Sequence, residues 1–249
     1  MDLITPDWIG APSNIGAFST MRQGGFSQAP YDDGSGGGLN LGLHVGDVPE
    51  HVERNRLVIR SLVPGRPSWL TQVHGSTVVD ASTATDAPRA DASISTQRGV
   101  VCAIQTADCL PVLFCDAGGG VVGAAHAGWR GLASGVLENT VGAMRNQGAT
   151  EILAWLGPAI GPERFEVGEE VLRTFTALDT KTEAAFKRID DRPDKYLADI
   201  YQLARILLSK HGVQKVYGGG MCTVSDVRQF YSYRRDQVTG RMATLIWIK

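Results

Sequence analysis

Apolar residues fall into two periods along this chain. In "PEHVERNRLVIRSLV", Val52, Leu57, Val58 and Leu62 recur at near-helical spacing, which predicts a surface helix over residues 49–63, ended by Pro64 and Gly65. Residues 131–147, "GLASGVLENTVGAMRNQ", place Leu132, Val136, Val141 and Met144 on one face, with Gly148 where a C-terminal cap belongs. That pattern predicts one helix whose N-terminus abuts Arg130. A third helix is predicted over 168–178, and a fourth in "DIYQLARILLSKHG", stopped by Gly212. Elsewhere the apolar residues form short Val/Ile/Leu runs bounded by Gly, Asp and Pro, from "SWLTQVHGSTVVD" through "GVVCAIQTADCLPVLFCDAGGGVVGAAHAG" to "EILAWLGPAIG", "KVYGGG" and "MATLIWI". These read as strands. Residues 30–40, "PYDDGSGGGLN", have little to bury and read as a mobile loop; apolar segments resume on both sides, so it is not a domain linker. Helices and strands mix without strict alternation or internal repeat. The expectation is an α+β fold in a single domain spanning residues 1–249.

Charge and composition narrow the function more than the fold. A net charge of −2 and a pI of about 6.2 give no basic surplus for nucleic acid or an anionic membrane, so a small-molecule substrate is expected. The start, "MDLITPDWIGAPSN", has acidic residues and prolines where a secretion signal needs a basic end and an apolar core. No window approaches the roughly 20 apolar residues of a membrane span. Four irregularly spaced cysteines do not make a disulfide scaffold, so reduced thiols and a cytoplasmic location are expected.

Gly118, Gly120 and Gly123 match the spacing of a dinucleotide-binding loop, but they lie between two β-like runs with no helix opening after them. A hairpin turn is the expectation, and no nicotinamide cofactor. Of five histidines, His51 sits in the charged first helix and His211 in a last helical turn, where partial positive charge suits the dipole. His44, in "LNLGLHVGD", lines a pocket or packs ordinarily. His74 in "TQVHG" and His126 in "AAHAG" each end an apolar strand just before a glycine. Cys109, in "TADCLPV", likewise follows a strand, whereas Cys102 and Cys115 lie inside strands as inert apolar thiols. Any one of these three could be a core residue; three polar groups at strand ends can also converge on one edge of a sheet. A Cys/His/His set suits zinc and leaves a fourth tetrahedral position open for water or substrate. The spacing of 35 and then 17 residues contains no short paired motif, so the residues alone stop at a possible metal site.

The phrases "LNLGLHVGD", "TQVHG", "TADCLPVLF", "AAHAGWRG", "LGPAIGPERFEVG" and "YSYRRDQVTGRMATLIWI" resemble, in order and over nearly the whole chain, the YfiH family, also called the laccase-domain or multicopper polyphenol oxidase family. The resemblance implies that His74, Cys109 and His126 bind one zinc ion per chain. It implies one domain of mixed β-sheets layered with helices, of α/β/β/α type and similar to the catalytic domain of cytotoxic necrotizing factor toxins. It also implies purine nucleoside phosphorolysis with phosphate, alongside adenosine deamination and methylthioadenosine cleavage, or editing of peptidoglycan precursors by amide hydrolysis. One departure is the "DDGSGGG" insertion before "LNLG". Copper oxidation is disfavoured: a multicopper oxidase needs on the order of ten clustered histidines, and five unpaired ones are present.

For phosphorolysis, Arg130 before a helix N-terminus is the candidate phosphate ligand, through its planar donor fork and the helix N–H groups. Asp108, next to the thiol, is a candidate general acid or base, or an orienter of a metal ligand. Gln72, two residues before His74, is expected on the same side of its strand and, with His44 and Asn40, is a candidate substrate contact. Cys109 and His126 are the catalytic candidates, either at the metal or, in a metal-free cysteine hydrolase, as nucleophile and base. A non-enzymatic zinc-binding module would leave the open coordination position unexplained.

Overall fold

The computed structural model describes residues 1–32, 34 and 36–249; Asp33 and Ser35, inside the glycine-rich segment expected to be mobile, lie outside the described residues. The first half of the chain runs β1 (Leu3–Ile4), β2 (Ile15–Thr20), β3 (Gln23–Ser27), α1 (Pro49–Leu62), β4 (Pro67–Ser68), β5 (Val78–Asp80), β6 (Ala92–Ser95), β7 (Val101–Thr106), β8 (Leu110–Asp116) and β9 (Val122–Ala127). Then come α2 (Trp129–Ala133), α3 (Val136–Asn146), β10 (Ile152–Leu156), β11 (Glu166–Gly168), α4 (Glu169–Leu178), a 3-10 turn (Thr180–Ala185), β12 (Phe186–Ile189) and β13 (Arg192–Ala198). The chain closes with α5 (Ile200–Lys210), β14 (Lys215–Gly218), α6 (Tyr233–Asp236) and β15 (Met242–Ile248).

One sheet has the order β1-β2-β15-β7-β4 and is antiparallel except at β7/β4. A second, β14-β10-β8-β9-β6-β5, is parallel only at its two outer pairs. A small third sheet joins β11, β13 and β12. Side-chain alternation along the strands stacks the layers. In the first sheet Val101, Ala103, Ala243 and Leu245 pack with Ile59 and Val63 of the α1 region, while Cys102, Ile104, Ile246 and Ile248 point the other way. There they meet Leu113, Cys115, Val122, Ala124, Leu153 and Trp155 of the second sheet. The opposite faces of those strands carry Val112, Phe114, Ala125, Ile152 and Ala154 against Leu137, Val141, Leu203 and Leu207 of α3 and α5. The order is therefore helix, sheet, sheet, helices. Strands buried on both faces read as unbroken apolar runs, which is why β7 and β8 are so conspicuous in the sequence. No helix among the described residues is long and apolar enough to cross a membrane.

Two expectations are corrected. The helix expected over 131–147 is two helices, because Gly135 adopts φ +86° and the N–H groups of Ser134 and Gly135 turn back to Arg130 O and Leu132 O. The apolar stripe survives that break since both pieces cover the same core. "TQVHG" is not a strand: after an isolated bridge from Thr71 to Arg89, residues 72–77 form an irregular loop in which His74 has φ +59°. The glycine run at 118–120 is a hairpin turn between β8 and β9, held by the Asp116 carboxylate accepting from the Gly118 and Thr150 amides. Residues 180–198, which carry no periodic pattern, form the 3-10 turn and the β12/β13 hairpin.

Asn55 of α1 is fully buried; its Oδ1 accepts from Phe26 N at 2.7 Å and its Nδ2 donates to Ser27 Oγ, Gly38 O and Asn40 O at 2.9, 3.2 and 2.8 Å. It binds α1 to the segment that leads into "LNLG". Asn55→Leu is expected to destabilise the fold by about 2–4 kcal/mol, since several buried backbone groups lose their partner. A denaturant midpoint unchanged from wild type would refute that account.

Candidate metal centre and the cavities beside it

His126 lies one residue from the end of β9 and pairs across to Pro111, so the start of β8 and the end of β9 are neighbours. Cys109 immediately precedes β8 and reaches the same place through a tight turn in which Asp108 has φ +88°. That turn is locked: Thr223 Oγ1 and Arg234 N donate to the two Asp108 oxygens, both at 2.6 Å, and Ile160 N donates to Asp108 O at 2.9 Å. His74 arrives from the loop before β5. Its backbone is fixed by Asp91, a fully buried carboxylate accepting from the amides of Val73, His74 and Gly75.

Asp91 also accepts from His126 Nδ1 at 2.8 Å, while Asp91 O accepts from His126 N. One carboxylate thus sets the orientation of both imidazoles. With Nδ1 of His126 committed, its Nε2 is the nitrogen left to meet Cys109. Burial pushes the Asp91 carboxyl up, but hydrogen bonds from His126, Gly75 and Val73 outweigh it and hold the group below the usual range.

The ligand atoms of His74, Cys109 and His126 lie within 4.8 Å of one another, and Cys109 Sγ is 3.7 Å from His74 Nε2. For a tetrahedral ion bonded to nitrogen at about 2.0–2.1 Å and sulfur at about 2.3 Å, the nitrogen–sulfur separation is roughly 3.5 Å. The Cys109–His74 separation fits a shared metal, and the three donors as a whole could hold one ion. They form the one cluster of this kind among the described residues. The glycines of "AAHAGWRG" make room for it: a Cβ on Gly128 would stand 2.9 Å from Cys109 Sγ and 3.0 Å from His74 Cδ2, and one on Gly131 only 2.8 Å from Gly75 O. Without metal, burial raises the Cys109 thiol, but charge and hydrogen bonds from His126 and His74 bring it down to about 6. Burial lowers the His126 imidazole, yet the Cys109 thiolate and Asp91 raise it to about 9. With no ion bound, both shifts favour a thiolate beside an imidazolium.

The trio sits between two adjoining cavities. The larger, about 590 Å³, has His74, Cys109 and His126 on one wall, with Trp69, Leu70, His44, Arg56, Tyr233 and Arg241 around them. The smaller, about 250 Å³, shares His74, Cys109 and Tyr233 and adds Trp129, Arg130, Phe165 and Arg234. Arg130 is therefore beside the trio but outside the larger cavity; it is exposed and its guanidinium lies 4.5 Å over the Trp129 ring. The helix it belongs to has five residues, too few to supply the dipole expected from a helix of 17.

Three other expected positions are placed differently. Gln72 lines the larger cavity, but it is in no strand, and its amide exchanges hydrogen bonds with Gln105 N and O at 2.8 and 2.7 Å. Asn40 is fully buried, with Oδ1 accepting from Gly42 N and Arg241 N and Nδ2 donating to Gly42 O and Asp47. It organises the loop and lines neither of these two cavities, its amide being used by backbone groups and the Asp47 carboxylate. Asp108 borders the smaller cavity with both oxygens already bonded. His44 lines the larger cavity, its pKa lowered by burial and then by Arg241 and Arg56.

Sequence reasoning missed Asp91, Arg56, Trp69, Tyr233 and Arg241. Arg241 stands directly before the strand "MATLIWI", so the strand-end reasoning applied to His126 would have found it. Arg56 reads as one more charged position on a surface helix.

Residues 16–249 match the family described as multi-copper polyphenol oxidoreductase laccase. The chain is 54% identical over 246 residues to a Pseudomonas aeruginosa protein named purine nucleoside phosphorylase, covering 99% of this chain and 98% of that one. It is 53% identical over 249 residues to Escherichia coli purine nucleoside phosphorylase YfiH, covering 99% and 98%. A crystal structure of a Neisseria meningitidis protein superposes with TM-score 0.93 at 47% identity over 100% of both chains. YlmD from Geobacillus stearothermophilus does so with 0.84 at 30% identity, over 95% of this chain and 93% of that one.

Asp91→Asn is expected to weaken metal affinity about 10–100-fold, measured by competition with a chelator, because the imidazole loses its charged orienting partner. In chelator-stripped protein the rate of Cys109 alkylation by iodoacetamide is expected to rise with pH through a midpoint near 6 and then level off, as a lowered thiol pKa requires. A midpoint near 8.5, the value of an ordinary thiol, would contradict the pairing with His126.

Proposed function

The chain belongs to the multi-copper polyphenol oxidoreductase laccase family, and from that premise we propose that it is a zinc-dependent, cytoplasmic purine nucleoside phosphorylase and not a copper oxidase. The observation that carries the reading is the full-length likeness, at about half identity, to bacterial proteins that bear that name. The site's chemistry agrees with it. A single His/Cys/His group among the described residues suits one ion, whereas multicopper chemistry needs several linked centres. The larger cavity, at about 590 Å³, is in the size range of small-molecule sites and has an apolar flank at Leu43, Trp69 and Leu70 for a purine.

In the reaction, an oxygen of hydrogen phosphate forms a bond to the anomeric carbon of the ribose as the bond from that carbon to the base nitrogen breaks. The electron pair leaves on the base, the phosphate proton ends on the base, and the products are free base and ribose 1-phosphate. His74, Cys109 and His126 would hold zinc, which when bound supplies a Lewis acid at the cavity wall. Asp91 keeps His126 in the tautomer that leaves Nε2 free for that role. With His74 exposed, Cys109 half-buried and His126 buried, the trio at the meeting of two cavities would bring two substrates to one place, the entropic part of catalysis. Adenosine deamination and methylthioadenosine phosphorolysis are proposed as further activities of the same wall.

A second reading is favoured by one specific arrangement. Cys109, His126 and Asp91 have the order of nucleophile, base and orienting carboxylate of a cysteine hydrolase, which would suit amide bonds in peptidoglycan precursors.

Cys109→Ala separates the two. As a ligand variant it is expected to lose zinc and phosphorolysis together, with excess zinc restoring part of both, because the two histidines still bind weakly. Loss that no zinc level restores, with full activity of metal-stripped wild type abolished by alkylation, would favour the hydrolase. Metal analysis of the wild type is expected to give one zinc per chain. Two or more coppers per chain, with dye oxidation that follows copper content, would defeat the zinc reading.

A further inference from the structure

The larger cavity has an electrostatic character that the His74/Cys109/His126 trio alone does not explain. Its wall holds two guanidinium groups, Arg56 and Arg241, and the His44 imidazole, and no Asp or Glu. Neither arginine makes a salt bridge among the described residues. Both are half-buried; the negative groups that act on them, Glu53 on Arg56 and Cys109 and Asp108 on Arg241, form no ion pair with them, so each guanidinium keeps donors for a bound anion.

Both side chains are held for the purpose by backbone groups. Arg56 Nε donates to Leu41 O at 3.0 Å and its guanidinium lies 4.5 Å over the Trp69 ring, which leaves both terminal nitrogens without a hydrogen-bond partner among the described residues. Arg241 Nη1 donates to Thr239 O and Gly240 O, leaving Nε and Nη2 without a hydrogen-bond partner among the described residues. Gly42 makes room for Arg241: a Cβ there would stand 2.8 Å from Arg241 Cγ, while Asn40 Oδ1 fastens the amides of Gly42 and Arg241 together. Arg241 is near enough to Cys109 for their charges to interact, and both arginines act on His44. These groups therefore surround one space beside the metal-competent trio. Arg130 and Arg234 of the smaller cavity are exposed, so water can solvate them and no anion is required.

We infer that Arg56, Arg241 and His44 form an oxyanion subsite in the larger cavity, filled by inorganic phosphate, with Asn40 and Gly42 positioning Arg241. The choice of phosphate rests on the phosphorylase reading; the subsite itself rests on the unpaired, half-buried guanidinia. Two forks aimed at one space suit a tetrahedral dianion better than a lysine would, because each can offer two parallel N–H donors.

The test is calorimetric titration of the metal-loaded full chain with inorganic phosphate, with ribose 1-phosphate formation assayed separately. Saturable binding is expected in wild type, weakened about tenfold or more by Arg241→Lys and by Arg56→Lys, which keep charge but lose the fork. Arg173→Ala, at an exposed position of α4 that lines neither cavity, is expected to bind phosphate like wild type. Metal content and thermal midpoint report whether each variant is folded, and His44→Ala, at an exposed position, supplies a further variant with weakened binding expected. No phosphate binding by wild type, or binding lost in Arg130→Ala and kept in both lysine variants, would overturn the assignment. Adenosine 5′-monophosphate is titrated as the other source of the same oxyanion. Nucleotide binding about tenfold tighter than phosphate, with the same arginine dependence, would overturn the choice of inorganic phosphate. Arginine-dependent phosphate binding without ribose 1-phosphate formation would support the subsite and refute only the phosphorylase reading.

Discussion

The buried Asp91 carboxylate is the constraint on which the rest of the centre depends. It receives the imidazole of His126 and the amides of three successive loop residues, so one group from the start of β6 positions ligands that come from β9 and from the loop before β5. A buried carboxylate must be fully hydrogen-bonded to stay charged, and here each bond to it also constrains the candidate metal-ligating histidines or their loop. Removing it would leave a buried imidazole without its partner and a loop without its anchor in the same stroke.

The backbone around the trio is unusual for the same reason. His74 and Asp108 are both non-glycine residues at positive φ, a conformation that costs of order 1–3 kcal/mol and persists only where the surroundings over-determine it. Asp91 does so for His74; Thr223, Arg234 and Ile160 do so for Asp108. Asp108 therefore acts through the shape of its turn, since that turn aims the adjacent Cys109 at the two histidines. The glycines after His126 complete the arrangement by absence of side chains, letting α2 start against the sulfur and the His74 ring.

Charge is distributed as unevenly as strain. Without an ion the trio favours a thiolate beside an imidazolium, while the wall of the larger cavity presents guanidinium groups with no carboxylate among the described lining residues. A nearly neutral chain, with a net charge of −2, can thus line one cavity with two arginines and, among the described residues, no Asp or Glu.

Much of this was legible without coordinates. The doubly buried strands β7 to β10 announced themselves as apolar runs, four helices showed their period, and His74, Cys109 and His126 stood out as polar groups where such runs stop. Periodicity and residue chemistry are local, so a sequence expresses them directly. Which ends meet is not local. That Pro111 pairs with His126, that β6 delivers Asp91 beneath both histidines, and that Arg56 of a surface helix and Arg241 before the last strand face one cavity all follow from sheet register and layer packing. The break at Gly135 and the irregular loop at His74 escaped for the converse reason: each keeps an apolar pattern that a regular element would also show, and only contacts with the rest of the fold decide between the two.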